Sequence, residues 1–168
     1  YSYHDKLPNL QIDGNLSKLE LDRFIGRNDA DVLPLYADDR PLPFDWITWL
    51  NAKVNLTIQQ LDLSYIVLNN VSSQFNVNNG ELKLNSIKAD TYDGKLSGAM
   101  TLKKNAESYD IAIENNVSGV NLQKIFNSLF NVSANNVNAN VNLSAHMSGM
   151  KSYQDLYKSL TGKVKFTV

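Results

Sequence analysis

Side chains able to do acid–base or metal chemistry are few and scattered. His4 and His146 are the only histidines, and there is no cysteine among the 168 residues. His146 falls on the polar side of a strand-like run, so it reads as a surface histidine rather than a general base or a ligand. Zinc needs Cys and His at short fixed spacings, and no such cluster occurs. Asp29, Asp31, Asp38 and Asp39 crowd into one stretch and suggest calcium, but the Gly and the closing Glu of an EF-hand loop are missing. A solvated acidic loop is the better reading. No Gly-rich phosphate cradle and no nucleophile motif is present. The chain is expected to be no enzyme and to hold no cofactor or metal.

Composition narrows the partners. Sixteen Lys and Arg against 17 Asp and Glu give a net charge of −1. The basic residues form no stripe, which argues against nucleic acid. The absence of cysteine removes disulfides and suits a bacterial envelope protein as well as a cytosolic one. No apolar run approaches the roughly 20 residues of a membrane-spanning helix. The opening "YSYHDKLPNL" has no Met and no signal-peptide pattern, and the chain is expected to be a piece of a longer protein. Asparagine is used 22 times. Asn-X-Ser/Thr sequons begin at Asn15, Asn55, Asn70, Asn116, Asn131 and Asn142, as chance produces in so Asn-rich a chain.

The elements that would carry any site follow from periodicity. Residues 1–27 read as an N-terminal strand pair, the end of a preceding region. Residues 28–43 read as an acidic, proline-containing loop, and residues 44–168 as the main β-rich domain. From Ala52 onward the period is two. Val54, Leu56 and Ile58 alternate with polar residues, as do Val71, Phe75 and Val77. Leu82 and Leu84 follow an Asn78-Asn79-Gly80 turn and lead to Ile87 and Ala89. A second turn, Tyr92-Asp93-Gly94, leads into Leu96, Gly98, Met100 and Leu102. Tyr109, Ile111 and Ile113 share a side, as do Val137, Ala139, Val141, Leu143, Ala145 and Met147. The closing "GKVKFTV" contributes Val164, Phe166 and Val168.

Two stretches switch to the helical period. Leu122, Ile125, Phe126 and Leu129 form one apolar stripe, and Tyr153, Leu156, Tyr157 and Leu160 another, with all four of each expected to be buried. Asn121 and Ser152 are plausible N-caps, and Gly162 lies just past the second helix. A third helix is predicted in "PFDWITWLN", where Trp46 and Trp49 read as core packing rather than an interfacial anchor. The fold class is therefore mainly β with short helices: a curved, twisted antiparallel sheet with an apolar inner face and two or three short helices. About eight strands at ~4.8 Å spacing make a face of roughly 900 Å². Three short helices cover ~400 Å² of it. The surplus must be hidden by curling or offered to an apolar ligand.

The order of these elements is familiar. "GELKLNSIKADTYDGKLSGAMTL" is followed by "SGVNLQKIFNSLF", a long strand, "YQDLYKSLTG" and "KVKFTV". This resembles the C-terminal region of the AsmA family of bacterial envelope proteins. Gly80, Leu82, Leu84, Ala89, Tyr92, Gly94, Leu96 and Gly98 carry the match, with Ser118-Gly119-Val120, Leu160, Gly162 and Phe166 further on. "LELDRFI" is similar to the family's Leu-x-Leu-Asp-Arg segment, and the likeness runs from about Leu16 to Val168. The Asn-rich strands and the acidic loop depart from the family pattern.

The resemblance implies a periplasmic part of a protein anchored in the inner membrane by a helix outside this sequence. It implies a role in outer-membrane biogenesis and phospholipid transport through an apolar β-groove. Phospholipid acyl chains would be the ligand, with other envelope or outer-membrane assembly proteins as partners. Residues expected to line such a groove are Val54, Leu56, Ile58, Phe75, Leu82, Leu96, Met100, Ile111, Val141 and Leu143. The alternative is a secreted β-rich adhesin or carbohydrate-binding module, which needs exposed aromatics on the wet face.

Overall fold

The computed structural model describes residues 7–20, 38–63, 66–130, 133 and 137–168, with 128–130 as backbone alone. Eight strands form one sheet in chain order: β1 (Asn9–Glu20), β2 (Asn51–Leu63), β3 (Ile66–Asn78), β4 (Glu81–Thr91), β5 (Gly94–Asn105), β6 (Ser108–Asn121), β7 (Asn138–Met150) and β8 (Thr161–Thr167). The sheet is curved and unclosed, with β1 and β8 at its two edges. Two α-helices, α1 (Leu122–Phe130) and α2 (Tyr153–Ser159), and a 3₁₀ helix (Asp45–Thr48) complete it.

The hairpins form because their turns supply left-handed backbone. Asn79 and Gly80 have φ of 49° and 76°, and Tyr92 and Asp93 have φ of 46° and 67°. Positive φ at both central residues is the turn whose twist matches the strands it joins. Gly94 is needed for a different reason. A Cβ there would lie 2.5 Å from the Ser118 carbonyl oxygen and 2.7 Å from the Val120 nitrogen. Glycine lets β5 start pressed against the backbone of β6.

Strand pairing aligns the apolar residues into rows that run across the sheet. The first row is Leu10, Ala52, Val77, Leu82, Leu102, Ile111 and Met147. The second is Ile12, Val54, Phe75, Leu84, Met100, Ile113, Ala145 and Gly162. The third is Gly14, Leu56, Ser73, Ile87, Gly98, Asn115, Leu143 and Val164. The fourth holds Leu16, Ile58 and Val71 at one end and Ala89, Leu96, Val117, Val141 and Phe166 at the other.

Bulges keep these rows on one face where the sequence slips by three instead of two. Leu84 and Ile87 both face the same way because β4 shifts register between them. Val117 and Val120 do so in β6, where Gly119 has a φ of +64°. Met147 and Met150 do so in β7, where Gly149 has a φ of +67°. Each bulge inserts an extra residue, bends its strand and restores the face.

Two expectations are corrected. The sheet is not antiparallel throughout, since β1 runs parallel to β2. A parallel pair requires a long crossover, and some thirty residues separate these two strands, whereas tight turns join the hairpins. The helices also bury fewer residues than their spacing predicts. Leu122, Ile125, Tyr153 and Leu156 are half-buried, but Phe126, Tyr157 and Leu160 are exposed, and Leu129 lies outside the described side chains. The second helix has two turns and packs only Tyr153 and Leu156 against the first cluster, so Tyr157 meets solvent. Both predicted N-caps are in place. The Asn121 side chain accepts from the Lys124 N–H, and Ser152 forms a capping box with Asp155. Gly162 sits within β8, facing Ala145. The first strand of the expected N-terminal pair is β1, in the same sheet as the rest; the second, and the acidic loop up to residue 37, lie outside the described residues.

Candidate functional site: an apolar face outside two packed clusters

The apolar face is not uniformly covered. One cluster occupies the first two rows, where Val54, Val77, Leu82, Leu102, Ile111 and Met147 pack with Met150 of β7 and with Leu42 and Ile47 of the segment before β2. Ile47 and Met150 are wholly buried. The cover is the segment around residues 38–50 together with α2, which contributes Tyr153 and Leu156. A second, smaller cluster lies on β2–β4, formed by Ile58, Val71 and Ala89 of the fourth row and the Leu61–Leu68 pair beyond it.

Polar contacts hold the cover down. Asp38 is buried, and its carboxylate accepts from the Arg40 guanidinium at 2.6 and 2.9 Å. Its partners make it part of a fixed turn. Asp29 and Asp31 lie outside the described residues. The Leu42 N–H donates to the Lys151 carbonyl, and the Tyr153 and Gln154 N–H groups donate to the carbonyls of Arg40 and Asp38. At the 3₁₀ helix, the carboxylate of Asp45 accepts from the Lys104 ammonium and from the Tyr109 hydroxyl at 2.5 Å. Lys104 also lies over the Tyr109 ring, 5.5 Å from its centre.

Those contacts make the cover sensitive to acid. The Lys104 ammonium, and then the Tyr109 hydroxyl, hold the Asp45 carboxyl below its ordinary 3.8. A lowered carboxyl contributes stability at neutral pH, and that contribution is lost as pH falls through the folded-state value. Acidification below pH 3.8 should therefore loosen the 3₁₀ helix. Urea unfolding at neutral and at acid pH should show a smaller pH dependence for Asp45→Asn than for the wild type. Equal dependence in the two proteins would remove Asp45 from this role.

All ten residues expected to line a groove fall on the apolar face, but in different surroundings. Val54, Ile58, Leu82 and Ile111 are buried within the two clusters. Leu56, Phe75 and Met100 are half-buried against the first cluster, and Leu96 against the second. Val141 and Leu143 are half-buried and belong to neither. Beside them lie half-buried Val117 and two edge residues, Val164 and Phe166, which are 56% and 62% exposed. These three were missed as surface residues, although the alternation in "GKVKFTV" already put Val164 and Phe166 on this face. Among the described residues, the apolar surface left partly exposed outside both clusters is thus the third and fourth rows across β6–β8.

The opposite face is polar. Among the described strand residues it carries Asn, Ser, Thr, Lys, Asp and Glu, with no Phe, Tyr or Trp. His146 is exposed there, paired with Ala112 and Thr161. Trp46 packs against the first cluster, while Trp49 is 66% exposed beyond the 3₁₀ helix. Among the described residues no group of His, Asp and Glu is arranged to hold a metal, and no helix is long and apolar enough to cross a membrane.

These features define a mainly β protein built on an open, curved sheet. The profile of the AsmA family matches residues 3–168, so the chain belongs to the AsmA family, a group associated with the bacterial envelope. No curated protein and no solved structure gives a match.

Proposed function

We propose that this chain is a periplasmic part of an inner-membrane-anchored envelope protein and carries phospholipid on its apolar face in the service of outer-membrane biogenesis. The observation that carries the reading is the uncovered surface made by Val117, Val141, Leu143, Val164 and Phe166 on a sheet that does not close on itself. A soluble β-domain ordinarily hides such a face by closure or by a packed layer. Acyl chains laid along the rows gain about 0.8 kcal/mol for each CH₂ removed from water, while the head group stays hydrated at the open side. No bond is made or broken; the protein acts by providing an apolar path. Movement between membranes calls for envelope or outer-membrane assembly proteins at the ends of that path. The carbohydrate-binding alternative loses ground because, among the described strand residues, the polar face has no aromatic platform on which a sugar could stack.

Protein purified from bacterial cells should retain phospholipid, detected as adducts by native mass spectrometry and lost on delipidation. A protein that emerges lipid-free, and takes up no phospholipid from added vesicles, would refute the proposal.

A further inference from the structure

One polar side chain interrupts the uncovered surface. Asn115 stands in the third row, with Gly98 on one side, Leu143 on the other, and Ile113 and Val117 before and after it on its own strand. It is half-buried, and no protein group among the described residues hydrogen-bonds its amide. Gly98 makes the room: a Cβ there would fall 1.8 Å from Oδ1 of Asn115. The amide therefore lies across the bare backbone of β5, amid hydrocarbon side chains, with its N–H groups uncommitted.

We infer that Asn115 is a specificity-determining residue of this face, and that its amide donates a hydrogen bond to an ester carbonyl of a bound diacyl phospholipid. This rests on the lipid reading above. Acyl chains laid over Leu143 and Val117 strip water from the amide between them, and an amide left unpaired in such a place is penalised. The ligand must bring an acceptor. At the junction of its chains and its head group a diacyl phospholipid has two ester carbonyls and no donor, so it matches the N–H groups of Asn115. A phosphate is the poorer match. The four rows carry no Lys or Arg, and Lys163 and Lys165 occupy alternate positions of β8, on the polar face.

The test compares a diacyl phosphatidylethanolamine with its dialkyl ether counterpart of equal chain length, which lacks both carbonyls. Affinities are read by displacement of a fluorescent phospholipid. Wild-type protein should bind the ester lipid about fivefold more tightly, the worth of one neutral hydrogen bond. Asn115→Leu should bind the two lipids equally. Asn115→Asp, which keeps the size but has no donor, should also lose the preference whatever its absolute affinity. Circular dichroism checks that both variants fold. Equal binding of the two lipids by the wild type, or a preference that survives in either variant, overturns the role of Asn115 alone. Binding of neither lipid by the wild type overturns the lipid reading and this inference together.

Discussion

Glutamate at Leu143 should leave the domain folded and abolish most lipid binding, whereas glutamate at Ile111 should unfold it. The two leucine-sized positions occupy the same face of adjoining strands, yet their surroundings differ. Ile111 is 7% exposed in the first cluster, beneath the cover that carries Ile47. A carboxylate there has no partner and no water, a penalty of several kcal/mol against a total stability of about 5–15 kcal/mol. Leu143 belongs to neither cluster, and its cross-strand neighbour Val164 is 56% exposed. Its carboxylate can stay hydrated, so stability should change by about 1 kcal/mol or less. An acyl chain passing that charge would have to dehydrate it, and affinity should fall at least about tenfold, equivalent to 1.4 kcal/mol. Phe75→Glu, Leu96→Glu and Met100→Glu should behave between these limits, since each packs on a cluster edge and loses both stability and binding. Thermal unfolding beside binding of a fluorescent phospholipid reads both quantities. If Leu143→Glu unfolds the protein, the surface across β6–β8 is core; if it folds and binds lipid normally, the acyl path lies elsewhere.

The second large effect concerns the cover. Ile47→Ala should cost about 3 kcal/mol, within the range for truncating a fully buried aliphatic side chain. For a chain of this length that corresponds to a fall in Tm of about 10 °C. The reason is local and tertiary at once. The Ile47 side chain is wholly buried in the first cluster, and its carbonyl accepts from the Gly80 N–H at the β3–β4 turn. The backbone bond survives the substitution, but the cavity remains, because the 3₁₀ helix is tied at Asp45 and cannot settle into it. Trp49→Ala, two residues away and 66% exposed, should shift Tm by no more than about 2 °C. A small effect at Ile47 would show that the 3₁₀ helix rests loosely on the sheet and leaves the first two rows accessible. Lipid binding by the folded fraction should be unchanged in both variants, since neither residue lies on the uncovered surface.

Much of this architecture is legible in the sequence because it is local. Alternation at period two marks the strands, since successive side chains of a pleated backbone point to opposite faces. The turns read at Asn78-Asn79-Gly80 and Tyr92-Asp93-Gly94 carry the left-handed backbone they need, whereas the bulges between Leu84 and Ile87 and between Met147 and Met150 emerge only from the strand register. Asn121 and Ser152 announce their helices through the hydrogen bonds their short side chains make to the next turn. The run of elements from Gly80 to Phe166 was sufficient to indicate the family that the profile match then established.

Other features are set only by contacts between distant parts of the chain. In the sequence Ile111 and Leu143 are equivalent, each an apolar residue in an alternating strand. One is core because the segment around Ile47 packs with it in the first cluster, and the other is surface because it belongs to neither cluster among the described residues. The parallel pairing of β1 with β2 is a non-local choice of the same kind, invisible to periodicity. So is the placing of Asn115 over Gly98: the sequence shows only an Asn in an Asn-rich chain, and the register of β5 against β6 brings the two together. A strand's own residues decide which side chains share a face; whether that face is covered depends on the free energy of packing against segments far away in the chain, and only the folded structure supplies those neighbours.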